Sequence, residues 1–450
     1  MSRAMKDSGI IADVSIPQEW SVVKFGSICE KATDFVASGS FASLRENVPY
    51  LDYPDYAMLV RTTDLAGTAK SEGRVFISKH SYDFLQNSNL YGGEIVLPNI
   101  GSIGDVYVVP KLYDRMSLAP NAIMFKTLYS DKYYYYYFLS KVGNVQLGEI
   151  SESTTIAKFN KTDLKQLRVF LPPLKEQQVI ADFLDKKCSE IDEMISLQDK
   201  IIEALKAYKQ SVINEAVCKG LNPNVPMKDS GIEWIGQIPK GWDIYRIKYN
   251  TFLKGRIGWQ GLNSSDFIDE GYCLITGTDF DNKGGIHWDT CYRISKERFD
   301  EDELLHVKEG DLLMTKDGTV GKMAYIKHLP EEASLNSHLL IIRQTTPLIK
   351  NAFLYWIMLS EQFKGFCSIY QSGSIMNSVS QSTLGQFSCS CPPLEEQQAI
   401  ADYLDEKCKE IDSLISVKQS KIDALKEYKK SIIYEYITGK KERHSVSIKE

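Results

Sequence analysis

One 46-residue segment occurs twice in this chain. PPLKEQQVIADFLDKKCSEIDEMISLQDKIIEALKAYKQSVINEAV at 172–217 returns as PPLEEQQAIADYLDEKCKEIDSLISVKQSKIDALKEYKKSIIYEYI at 392–437, with 27 positions identical. An upstream echo, MKDSGI at 5–10 and again at 227–232, has a shift of 222 residues against 220 for the long segment. Solenoids and propellers repeat every 20–50 residues or so. A shift this large is instead a whole domain plus a helix. Two such copies in tandem predict a pseudo-twofold molecule, a C2 dimer joined into one chain, suited to a target with two related ends.

The repeated segment reads as a long helix. Leu174–Lys219 contains neither Gly nor Pro; Pro172 and Pro173 precede it, Glu176 lies in its first turn, and Gly220 and Pro223 follow. These are a helix start and stop, and 46 residues of helix span roughly 69 Å. The second copy runs over 394–438, with Gly439 as its stop. Ile195, Ile202, Leu205 and Val212, matched by Ile415, Ile422, Leu425 and Ile432, keep one seam apolar. Gln198 and Lys209, matched by Lys418 and Lys429, interrupt it. That pattern predicts that the two repeat helices pair antiparallel, leaving other faces for partners. A solvated spacer helix is the alternative.

Between the helices the copies diverge but share a skeleton. EIVLPNIGSIGD at 94–105 aligns with DLLMTKDGTVGK at 311–322, each an apolar strand followed by a glycine turn. The runs 56–64 and 273–279 form another strand-like pair, ending in RTTD and TGTD. These features predict mixed α/β domains. The five tyrosines 133–137 align with FLYWI at 353–357, a buried-helix pattern. They are therefore expected in the core with hydroxyls reaching outward, a base-stacking platform being the alternative.

At 450 residues, the chain has room for two to four domains. Its net charge of −6 is not that of a strongly basic nucleic-acid binder. Locally the balance is nearer neutral: 16 Lys+Arg against 15 Asp+Glu over 20–171, and 15 against 18 over 242–391. Non-specific DNA binding by this chain alone is expected to be weak, so a partner would have to help. The nine cysteines include no C-x-x-C pair and are read as reduced thiols. With no signal peptide and no apolar run of membrane-spanning length, the expected location is cytoplasmic.

The order of variable domain, P-P-L-x-E-Q-Q helix, second variable domain and second P-P-L-x-E-Q-Q helix resembles the specificity subunits of type I restriction-modification systems. Each half also opens with K-D-S-G-I and then Ile16-Pro17-x-x-Trp20 or Ile238-Pro239-x-x-Trp242. The resemblance covers essentially the whole chain. Between the copies, Ile11-Ala12 stands where the second has Glu233-Trp234, and Cys391 replaces Leu171, which bears only on local packing. The resemblance implies an α+β fold with two mixed α/β target recognition domains, residues 1–171 and 221–391. Two long antiparallel coiled-coil helices, within 172–220 and 392–450, would separate them. It further implies a non-catalytic subunit that reads a bipartite, asymmetric site in double-stranded DNA. Its partners would be two methyltransferase subunits and restriction-translocase subunits. S-adenosylmethionine, ATP and Mg would belong to those partners, with no cofactor or metal in this chain. The matched helices would act as ruler and docking surface, and the diverged domains as readers.

Base contacts require polar side chains presented to the grooves. The candidates are loop-tip residues: Arg61, Thr62, Asn99, Ser102, Thr154 and Lys158 in the first domain, and Arg256, Gln260, Lys316, Lys322, Ser374 and Asn377 in the second. Arg256, basic, glycine-flanked and close to Trp259, is the foremost of them. Each is otherwise an exposed loop residue or a turn former. Two other classes compete. A coiled-coil scaffold would bind partners without reading DNA. A self-contained DNA-modifying enzyme would need motifs that the chain lacks: it has no [ND]-P-P-[YF], no G-x-x-x-x-G-K-[ST] and no H-E-x-x-H.

Overall fold

The stretch without Gly or Pro forms a single helix, Leu174–Lys219, and its copy forms Leu394–Ile437. The repeated glutamines explain the start of each. Gln177 Nε2 donates to Pro172 O at 2.8 Å and Gln397 Nε2 to Pro392 O at 2.8 Å, tying the first turn back to the prolines. Their Oε1 atoms accept from the backbone amides of Ser130 and Lys350, anchoring each helix to the domain before it. At the other ends, Gly220 (φ +78°) and Gly439 (φ +67°) take the left-handed conformation that terminates helices.

The computed structural model describes residues 3–67, 73–151, 157–256, 262, 266–281, 283–318, 320–371 and 378–441. It comprises two units: Met1–Gln198 with Ser420–Glu450, and Asp199–Gln419. Each unit therefore holds one domain and half of each long helix.

In the first unit, an antiparallel sheet orders Cys29–Asp34, Ala122–Thr127, Ile95–Pro98 and Tyr107–Val108. A second sheet orders Val75–Ile77, Ala57–Val60, Met116–Leu118 and Asn89–Leu90, with a parallel central pair. The second unit repeats the plan. Thr251–Lys254, Leu339–Gln344, Leu312–Thr315 and Met323–Tyr325 form its antiparallel sheet. Its other sheet again has a parallel pair, Tyr272–Ile275 with Ala333–Leu335, and differs in which edge strands flank it. Ile95–Pro98 and Leu312–Thr315 are buried along their whole length, which is why they read as unbroken apolar runs.

The helices pair antiparallel within each unit. In the first, Phe183 stacks on Tyr436 with ring centroids 4.3 Å apart, and Lys429 Nζ lies 2.6 Å from Asp192 Oδ2. In the second, Lys209 Nζ lies 2.7 Å from Asp412 Oδ2. Lys209 and Lys429 are repeat equivalents, as are Asp192 and Asp412. Lys209 and Lys429, where the apolar seam is interrupted, are thus answered by aspartates of the opposing helix. Ile202, Val212, Ile422 and Ile432 of the seam are buried.

The tyrosine run lies in the helix Asp131–Leu139, with Tyr133, Tyr134, Tyr136 and Tyr137 buried. Their hydroxyls do not reach outward, contrary to expectation. They donate to Ile437 O, Phe170 O, Asp185 Oδ1 and Gln146 Oε1 respectively. Burial pushes all four phenols well above their ordinary pKa, keeping them protonated as donors. With their rings packed and their hydroxyls occupied, these four tyrosines offer no base-stacking platform; Tyr135 is half-buried.

Candidate nucleic-acid interface and helix pair

Each helix start is clamped by a tryptophan of its own domain. Trp20 Nε1 donates to Glu176 Oε2 at 2.9 Å and Trp242 Nε1 to Glu396 Oε2 at 3.0 Å. In the first unit Arg3 adds a two-pronged contact to Glu176, at 2.6 and 3.0 Å, and lies over the Trp20 ring. Further along, Asp185 accepts from Tyr136 and pairs with Lys132, and Asp405 accepts from Trp356 and pairs with Lys327. The domains are thus fixed to the helices through repeat-equivalent carboxylates. The identities between the copies and the I-P-x-x-W motif were the signal for these residues, and their pairing emerges only in three dimensions.

The structure gathers some of the candidate base-contacting residues and separates others. Asn99, Ser102 and Lys158 come together: Asn99 Nδ2 donates to Phe159 O at 2.8 Å, and Ile100 bridges to Lys158. Ser102 and Lys158 are exposed. Lys316 and Lys322 flank one turn, closed by Gly321 N to Thr315 O at 2.9 Å and Lys322 N to Thr315 Oγ1 at 3.0 Å. Lys322 is exposed and also lines a groove of about 1750 Å³ in the second unit, together with Lys206, Lys209, Lys283, Lys327 and Lys364. Asp281, Asp402, Asp405, Glu406 and Asp412 line the same groove, and Lys206, Lys209, Lys327 and Lys364 are ion-paired, so its charge is mixed rather than basic.

Arg61 and Thr62 open the short helix Thr62–Leu65. The Arg61 guanidinium is held by both Asp64 oxygens at 3.1 Å and by Gly73 O at 2.6 Å. Asp64 also accepts from Arg61 N, and Asp279 accepts likewise from Thr276 N, so the aligned RTTD and TGTD are first of all turn-locking motifs. Thr154, Gln260, Ser374 and Asn377 lie outside the described residues.

Arg256 is not at a loop tip. Its side chain is fully buried, ion-paired to Glu301 at 3.1 Å and bonded to Leu335 O at 3.1 Å and Ser334 Oγ at 3.2 Å. Burial pulls the guanidinium below the ordinary arginine value, and Glu301 opposes that shift. An arginine this enclosed braces the fold. The flanking glycine that suggested an exposed tip has a packing cause: a Cβ at Gly255 would stand 2.8 Å from a Leu340 methyl and 3.0 Å from Leu339 O.

Among the described residues, no group of three or more His, Cys, Asp or Glu is placed to hold a metal ion. None of their helices is long and apolar enough to cross a membrane. All nine cysteines are free.

A family model described as "Type I restriction modification DNA specificity domain" matches residues 17–207 and 258–427. The chain is 27% identical over 432 residues to the type I restriction enzyme MjaVIII specificity subunit of Methanocaldococcus jannaschii, covering 94% of this chain and 93% of that protein. It is 25% identical over 438 residues to the putative MjaX specificity subunit of the same organism, covering 94% of each. In fold it resembles a chain from structural work on complex assembly and conformational transition of the type I R-M system. The TM-score there is 0.68 at 15% identity, over 94% of this chain and 98% of that one.

Proposed function

The chain belongs to the family of type I restriction-modification DNA specificity domains, and on that premise we propose that it reads a bipartite, asymmetric site in double-stranded DNA, one half-site per recognition domain. The observation that carries the reading is the contrast between a repeated frame and non-repeated loop side chains. Two different half-sites need two readers on one scaffold, held by matched helices.

The same premise supplies partners. Each unit exposes an equivalent trio of apolar residues: Met194, Leu197 and Tyr428 in the first, Leu414, Val417 and Tyr208 in the second, all between 42% and 63% exposed. Repeat-equivalent exposed apolar residues are unusual on solvated helices. They suit two copies of one partner, taken here as the methyltransferase subunit, with restriction-translocase subunits completing the complex. The chain is proposed to be non-catalytic and cytoplasmic. S-adenosylmethionine, ATP and Mg are assigned to the partner subunits.

Methylome sequencing of cells carrying the chain and its methyltransferase tests the reading. A gapped, two-part adenine motif is expected. Partner binding without any site preference would instead identify a scaffold. Replacing Met194 and Leu197 by Glu should leave a complex with one methyltransferase copy rather than two by native mass spectrometry. Retention of both copies would rule out this surface.

A further inference from the structure

In each domain four chain segments meet at one corner through the same backbone bonds. In the first, the turn 119–121 carries the chain from one sheet to the other, and Asn99 N donates to Asn121 O at 3.1 Å. Phe159 N donates to Asn99 O at 3.1 Å, Ile100 bridges to Lys158, and Ala119 N donates to Val60 O at 2.9 Å. In the second, the turn 336–338 makes the same crossing, and Lys316 N donates to His338 O at 2.9 Å. Val379 N donates to Lys316 O at 2.7 Å, Asp317 bridges to Ser378, and Asn336 N donates to Ile275 O at 3.0 Å.

The frame at this corner is the same, bond for bond, and the side chains on it are not. Asn99 answers to Lys316, Ile100 to Asp317, Asn121 to His338 and Lys158 to Ser378. Elsewhere the copies keep equivalent groups where they do equivalent work, as at Trp20 and Trp242. A corner that fixes its backbone and frees its side chains is built to vary what it touches.

Two of these residues have side chains suited to a base edge. Asn121 is exposed and has φ +70°, a left-handed conformation that asparagine tolerates better than most residues. Its amide carries a donor and an acceptor, the pattern that matches the N6 and N7 edge of adenine in the major groove. His338 is also exposed. Asp317 Oδ1, 2.5 Å from His338 Nδ1, fixes the ring and leaves Nε2 with no partner among the described residues. The exposed ammonium of Lys158 beside the first corner, and that of Lys322 on the turn following Lys316, suit phosphates, which set register without reading sequence.

From this geometry we infer that Asn121 and His338 are specificity-determining residues, each contacting a base edge in the half-site read by its own domain, with Asn121 facing an A·T pair. The inference rests on the DNA-reading function proposed above and names where that reading is done.

The test uses the full chain in complex with its methyltransferase. Competition binding is measured on duplexes substituted one base pair at a time, with wild type, Asn121→Ala, Asn121→Asp and His338→Ala. Each alanine variant should lose about 5- to 150-fold of discrimination, the worth of one good base contact, at a single position of a single half-site. Asn121→Asp keeps the shape and tolerates the backbone but replaces the amide donor with an acceptor, so it should lose the preference for adenine even if the alanine variant folds poorly. If the wild-type complex reads a two-part site and all three variants read it with unchanged discrimination, the inference is overturned while the function stands. If the wild-type complex reads no two-part site, it is the function that fails.

Discussion

Gly439 offers a sharp test of how the C-terminal helix is seated in the first unit. At φ +67°, alanine would meet the left-handed penalty of about 1–2 kcal/mol. Its Cβ would also stand 2.5 and 2.6 Å from ring carbons of Pro17 and 3.1 Å from the Trp20 indole. Proline cannot swing aside, and forcing a methyl into such packing costs about 1–3 kcal/mol more. Gly439→Ala is therefore expected to destabilise the site by about 2–5 kcal/mol. Gly9 separates the two contributions: its φ is +62° and nothing lies within 4 Å of its Cβ position, so Gly9→Ala should cost about 1–2 kcal/mol from backbone strain alone. Gly220→Ala should fall between. Its Cβ would stand 2.7 Å from the flexible end of Glu396, which can move only by giving up the bond from Trp242. A chain of two units need not unfold in one step, so the assay is native-state hydrogen exchange on peptides around Trp20 and 430–441. Protection there should drop by about one and a half to three and a half decades in Gly439→Ala. A loss no larger than that of Gly9→Ala would refute the packing argument.

Three further outcomes follow from the same contacts. A double-mutant cycle on Lys209→Met and Asp412→Asn, whose side chains are 25% and 34% exposed, should give a coupling of about 0.5–1 kcal/mol that weakens in high salt; zero coupling at low salt would remove the pair from the account. Burial pushes the Cys188 and Cys408 thiols up to about 11, so on the order of one in a thousand is thiolate at pH 8. Iodoacetamide should spare both until the chain is denatured, and rapid labelling of the folded protein would contradict their burial. Replacing 20–171 by the equivalent stretch of another family member carries both strands of the pair Ser21–Lys24 and Arg168–Leu171 together. It should change one half-site of the methylation motif, and a change in both would reject independent reading.

The sequence was most informative where identity is repeated. The central helix has the bounds that its missing Gly and Pro predicted, and the seam residues do pair antiparallel. Such features are local or periodic, so a linear reading captures them. Arg256 shows where that reading ends. It looked like an exposed tip, yet its partners Glu301, Ser334 and Leu335 lie 45 to 79 residues away. Nothing in the spacing around Lys254-Gly255-Arg256 reports them. Tyr133 was placed in the core correctly, but its hydroxyl partner Ile437 lies 304 residues on. Asn121 and His338 were missed because they sit in different motifs, Ala119-Pro120-Asn121 and Asn336-Ser337-His338, and only the shared hydrogen bonds make them equivalent.

The second unit is one uninterrupted stretch, Asp199–Gln419, whereas the first begins the chain and is closed by residues beyond it. Ile180, Leu184 and Ile191 of the central helix share a core with Ile432, Ile433 and Ile437. On a ribosome adding roughly 5–20 residues per second, that apolar stripe waits about 12 to 50 seconds for its cover. The domain begun first is completed last. A chain cut short after the second unit would leave the apolar stripe of the first uncovered, because Ile432, Ile433 and Ile437 would be missing from its core.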